Sequence, residues 1–95
     1  MQVFVTERSL KGSTMDQLAA AQKSAIETAG KFSSEGRPIR YLRSTFVPDS
    51  GCCSCLFEAQ DAATVEALNV AANIPFERVA PAFDLHVIEK VEQVT

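Results

Sequence analysis

Midway along the chain, Pro48-Asp49-Ser50-Gly51 separates two runs of strand-forming residues, Ile39 to Val47 and Gly51 to Ala59. Proline presets φ at its turn position and glycine tolerates φ > 0, so the two runs read as the arms of a hairpin. The rest of the chain must be arranged about that hairpin. Ahead of it, Val3-Phe4-Val5-Thr6 is β-branched and aromatic and reads as a strand ending at Glu7-Arg8. Thr14-Met15-Asp16-Gln17 then fits a capping box, with a hydroxyl at the cap and an amide side chain three residues on. Leu18, Ala21, Ala25, Ala29 and Phe32 follow at helical spacing, and Gly36 with Pro38 ends the pattern. Behind the hairpin, Asp61 suits the cap of a second helix carrying Val65, Leu68 and Ala72 on one face. Asn73 suits the left-handed residue that closes this helix, and Pro75 forbids its continuation. Phe83 to Val91 reads as the last strand, with room for a short extended piece near Val79 before it.

The order is β-α-β-β-α-β, a ferredoxin-like α+β unit: a four-stranded antiparallel sheet with both helices on one face. Ninety-five residues make a single domain, 1–95, with no chain left to cover the other face of the sheet. A second copy packed there is the expected cover, so the sequence predicts a homodimer through the open sheet face. Acidic groups outnumber basic ones, 12 to 9, which argues against nucleic acid as a partner. No apolar run approaches the roughly 20 residues of a membrane span, so no membrane association is expected. Met1 to Arg8 lacks the charged-then-apolar layout of a signal peptide, and a cytoplasmic protein is expected.

Side chains alternate along a strand, so parity sorts them. A four-residue turn pairs Val47 with Cys52, Ser44 with Cys55 and Tyr41 with Glu58. Leu42, Ser44, Phe46, Cys53, Cys55 and Phe57 then share one face, the more apolar one, expected under the helices. Tyr41, Arg43, Thr45, Cys52, Ser54, Leu56 and Glu58 share the open one. By the same logic Phe83, Leu85 and Val87 point inward, while Asp84, His86 and Ile88 join the open face with Phe4, Thr6 and Arg8. A cavity between two facing sheets, apolar with a few converging polar groups, is a usual form of ligand pocket. Tyr41 and Arg43 are its candidate ligand- or cofactor-binding groups. A plainer reading uses the same residues: Arg43 and Glu58 as a cross-strand ion pair, and His86 as a surface or satisfied histidine.

Three cysteines, Cys52, Cys53 and Cys55, cluster within four residues, which is neither a disulfide framework nor a zinc signature. They read as reduced thiols. Same-face neighbours on a strand lie roughly 7 Å apart, so a metal shared by Cys53 and Cys55 requires both side chains to lean together. Packing is the favoured role for that pair, since a small buried thiol behaves as a hydrophobe. Cys52, on the other face beside the turn, is the candidate for reactivity. A borderline divalent ion such as nickel suits imidazole and carboxylate donors, which here means His86 with Glu58. No glycine-rich phosphate loop or strained nucleophile turn is present, and Cys55 falls on the opposite face from His86, the chain's single histidine.

Phe4-Val5-Thr6-Glu7-Arg8, Tyr41-Leu42-Arg43-Ser44-Thr45-Phe46-Val47, Cys55-Leu56-Phe57-Glu58-Ala59 and Ala72-Asn73-Ile74-Pro75 followed by Glu77-Arg78-Val79 give the chain a further character. In these segments it resembles the small nickel-binding proteins of dimeric α+β barrel fold, first described as a domain of unknown function. The resemblance implies a metal-binding, non-catalytic homodimer that holds nickel. Arg8, Cys55 and Glu58 stand at matched positions. Asn73 replaces the glycine that family has at its helix end, and Cys52-Cys53 replaces its usual turn residues. On this reading the metal donors are His86 and Glu58, with Cys52 and Cys55 as soft donors. The alternative is a dimeric-barrel enzyme of the cofactor-free monooxygenase or isomerase type, acting on a small organic substrate. There His86 would serve as base, and Arg43 or Tyr41 would steady a developing oxyanion.

Overall fold

In a computed structural model of the chain, residues 1–85 are described. They form β1 (Gln2–Ser9), α1 (Met15–Ser34), β2 (Ile39–Val47), β3 (Cys52–Ala59), α2 (Ala62–Ala71) and β4 (Arg78–Ala82). The strands make one antiparallel sheet in the order β2-β3-β1-β4, with the helices on one face, which is the expected ferredoxin-like arrangement. The expected caps are in place. Gln17 donates its backbone N–H to Thr14 Oγ1 at 3.1 Å, and Thr14 donates its own to Gln17 Oε1 at 2.9 Å. Asp61 caps α2 by accepting the Thr64 backbone N–H at 2.8 Å. Asn73 adopts a positive φ of 58° just past α2, as its tolerance of that region allows.

The hairpin turn is held from outside. Gly51 has φ of 77°, is buried, and accepts a hydrogen bond from Leu10 N–H at 2.8 Å. A Cβ at this position would lie 2.5–2.6 Å from backbone and Cβ atoms of Lys11, so only glycine fits. The β2–β3 turn and the β1–α1 loop are thereby locked together at one end of the sheet.

The core lies between the helices and the sheet. Phe57, Val65 and Leu68 are fully buried, with Phe4, Ala25, Ala29, Phe32 and Ile39 around them. Three expectations are corrected here. First, Phe4, Thr6 and Arg8 lie under the helices, opposite Phe57, Cys55 and Cys53, instead of on the open face. Val3, Val5 and Phe4 put apolar matter on both parities of β1, so alternation does not choose a face. The larger Phe4 takes the core and carries Thr6 and Arg8 in with it.

Second, the register shifts between Tyr41 and Arg43, leaving Leu42 as an extra residue in β2. Beyond this bulge Tyr41 faces Phe57 edge-on at 5.6 Å and belongs to the helix face. Leu42 lines the open face instead, and Glu58 pairs with Arg40, not Tyr41. The pairings nearer the turn, Val47 with Cys52 and Ser44 with Cys55, are as expected.

Third, the last strand is Arg78–Ala82, the short piece near Val79, and it pairs with β1 from Glu7↔Arg78 to Val3↔Ala82. Pro81 interrupts the β-pattern in the sequence, but an edge strand accommodates it. Phe83 and Leu85, expected to point inward, follow the strand and are 92% and 85% exposed. The remainder of the expected strand, with Val87, Ile88 and the candidate ligand His86, lies outside the described residues.

A thiol-lined cavity as candidate functional site

The alternation of β1 and β3 delivers Arg8, Cys53 and Cys55 to the helix face, and the bulge in β2 adds Tyr41 beside Ser44. Above them α1 carries small residues, Ala21 and Ala25, where larger ones would fill the space. The result is a cavity of about 390 Å³ between the N-terminal half of α1 and the sheet. Its walls are apolar, from Leu10, Leu18, Ala21, Phe46 and Ile74.

Its floor is a row of linked polar groups. Gln22 Nε2 donates to the Tyr41 hydroxyl at 2.8 Å, and that hydroxyl lies 2.6 Å from Ser44 Oγ. Ser44 Oγ in turn donates to Cys55 Sγ at 2.9 Å. A serine has one hydroxyl hydrogen, so with it committed to Cys55, Tyr41 is the donor to Ser44. The Sγ atoms of Cys53 and Cys55 are 3.9 Å apart. The two side chains do lean together, well inside the roughly 7 Å strand repeat on which the packing-only role rested. Burial, and then the neighbouring Cys55, push the Cys53 thiol up to about 11, with the Arg8 guanidinium pulling weakly the other way. At neutral pH Cys53 is therefore a protonated thiol.

Arg8, opposite Cys53 in the ladder, is 3% exposed. Its Nη1 donates to the Pro75 carbonyl at 3.2 Å, and its Nε is buried with no partner. It forms no ion pair with any carboxylate among the described residues.

The other candidates fall on the opposite face. Glu58 is paired with Arg40 at 3.0 Å. Arg43 bonds Asp84, and Arg78 bonds Glu7. These pairs border an apolar patch of Val3, Val5, Leu42, Leu56, Ala80 and Ala82, placed on this face by the register and the bulge. The anticipated Arg43–Glu58 ion pair is thus replaced by two others. Cys52 is exposed at the start of β3, on the face away from Cys53 and Cys55. Tyr41 and Arg43 sit on opposite faces and do not meet. Among the described residues no three histidine, cysteine or carboxylate side chains converge as a metal cage. Cys53 and Cys55 therefore supply two donors and leave any further positions to other ligands. Of the cavity's polar groups, the sequence reading had no role for Gln22 or Ser44; their part depends on which faces meet and has no motif of its own.

Sheet order, helix placement and chain length together define a small α+β protein of ferredoxin-like fold. More narrowly, the chain belongs to the SCO4226-like family of nickel responsive proteins, whose family model matches residues 4–81. Its fold is similar to the crystal structure of SCO4226 from Streptomyces coelicolor A3(2), with a TM-score of 0.71 at 21% identity. That similarity covers 84% of this chain and 94% of the other. A comparison with curated proteins gave no match.

Proposed function

We propose that the chain is a non-catalytic, cytoplasmic metal-binding protein that works as a homodimer, with nickel as the ion it holds. The observation that carries the reading is the 3.9 Å separation of the Cys53 and Cys55 sulfurs, which two thiolate bonds of about 2.3 Å to a single ion can span. The family's nickel responsiveness supports the choice of ion. The Ser44 hydroxyl orients Cys55, and the apolar walls limit water at the pair. Both thiols must lose their protons to bind, so ion uptake releases protons and strengthens as pH rises. Water completes the coordination at the pair in this proposal; Glu58 is engaged by Arg40 on the opposite face of the sheet, and with His86 it forms the competing donor set. The apolar patch of the open face, bordered by ion pairs, supports the homodimer, because a second copy would bury it.

The test is titration of reduced protein with nickel, followed by the ultraviolet absorption that thiolate ligation produces. The expected result is a saturable band lost in Cys53→Ser and Cys55→Ser and unchanged in Cys52→Ser. A nickel affinity equal in all four proteins would overturn the thiol site. Loss of affinity only in His86→Ala would move the metal to the residues expected from the sequence.

A further inference from the structure

Arg8 raises a question that metal binding does not answer. Its guanidinium is always charged, the residue is 3% exposed, and among the described residues a single side-chain hydrogen bond holds it, to the Pro75 carbonyl. A buried charge without a counter-charge is costly, and proteins keep one where an anion completes it. No carboxylate among the described residues pairs with Arg8. Two thiolates neutralised by a divalent ion would also leave the arginine without a counter-charge. Arg8 lines the cavity under α1, whose walls are otherwise largely apolar.

We propose that this cavity is a binding site for a small amphipathic monocarboxylate. The carboxylate meets Arg8, and the hydrocarbon part lies among Leu10, Leu18, Ala21, Phe46 and Ile74. Three observations converge. The volume of about 390 Å³ is within the range of small-molecule pockets and more than twice the ~150 Å³ that admits a benzene ring. The apolar walls disfavour a strongly hydrated inorganic anion as the guest at Arg8. The positive charge favours an acid over a neutral molecule of the same shape, and a guanidinium forms its strongest hydrogen bonds with carboxylates. The site shares its cavity with Cys53 and Cys55 but requires no metal, and it lies on the other side of the sheet from the open face.

Octanoate and 1-octanol, matched in chain length, are suitable probes, titrated calorimetrically into reduced protein in the presence of EDTA. Octanoate should bind with a stoichiometry of one per chain and about tenfold or more tighter than octanol. Amide shifts in the NMR spectrum should cluster at Arg8, Leu18, Ala21 and Phe46. Arg8→Met, which keeps length and removes charge, should abolish the preference for octanoate and leave octanol binding within about threefold. Ala21→Phe, which fills the cavity from α1, should remove binding of both. Octanoate binding no tighter than octanol in the wild-type protein would overturn the proposal. So would shifts confined to Val5, Leu56 and the open face, or octanoate affinity unchanged by either variant. The wild-type comparison decides the matter even if a variant does not fold. Because EDTA is present throughout, success or failure here is separate from the outcome with nickel.

Discussion

Three clustered cysteines fall into two environments because alternation and the turn place them differently. Cys52 is exposed at the strand's start, whereas Cys53 and Cys55 are buried against α1 with their sulfurs in contact. At pH 7.5, iodoacetamide should label Cys52 first, with Cys53 resisting until the pH approaches 11, and peptide mass spectrometry would report the order. Equal labelling of all three in the folded protein would contradict the burial that raises Cys53. The same shift sets a stability window. A thiol raised in the folded state from 9.0 to about 11 contributes stability that is present below pH 9 and lost as pH climbs through about 11. Chemical denaturation at pH 8 and pH 10.5 should therefore give a lower midpoint at the higher pH, and a Cys53→Ser variant should lose that part of the difference. Which face each cysteine takes was legible from parity alone. Their closeness was not, because it depends on side-chain lean, which spacing along a strand does not encode.

Among the elements, the β2–β3 turn does the most to fix geometry. Gly51 holds a left-handed conformation against Lys11, so Gly51→Ala meets both a backbone penalty and a collision with backbone atoms. A loss of about 1–3 kcal/mol of folding stability is expected, read from urea unfolding. An unchanged midpoint would show that the turn and the β1–α1 loop move apart freely. Turn, caps and helix stripes were readable because each is local: a cap needs residues three apart, and a helix face needs only its period. The bulge at Leu42 was not, since an extra residue shows only against its partner strand. That single residue moves Tyr41 from the open face to the cavity floor. Likewise Arg8 carries no local sign of burial; Phe4, four residues earlier on the same strand face, takes it under the helices. The candidate site was therefore assigned to the wrong side of the sheet for Tyr41, while the fold around it was legible almost throughout.

For the whole molecule, the sheet divides two kinds of surface. One side encloses the thiol-lined cavity, and the other presents Val5 and Leu56 as cross-strand partners amid the Arg40–Glu58, Arg43–Asp84 and Arg78–Glu7 pairs. If two copies associate through that face, Leu56→Lys places a charge in the apolar patch and should give monomers by light scattering after gel filtration. A Leu56→Lys protein that still dimerises would place the interface elsewhere. Because the cavity and the patch are on opposite faces, such a monomer should take up nickel at Cys53 and Cys55 as the proposed dimer does.

Native mass spectrometry of reduced, tag-free protein with added nickel, beside Cys53→Ser, is the most direct test of the proposed metal-binding homodimer. The expected result is a dimer that gains nickel in whole-number steps, loses protons as it does so, and fails to gain at least one ion per chain when Cys53 is serine. A dimer that takes up no nickel, or the same number of ions with and without Cys53, would contradict it.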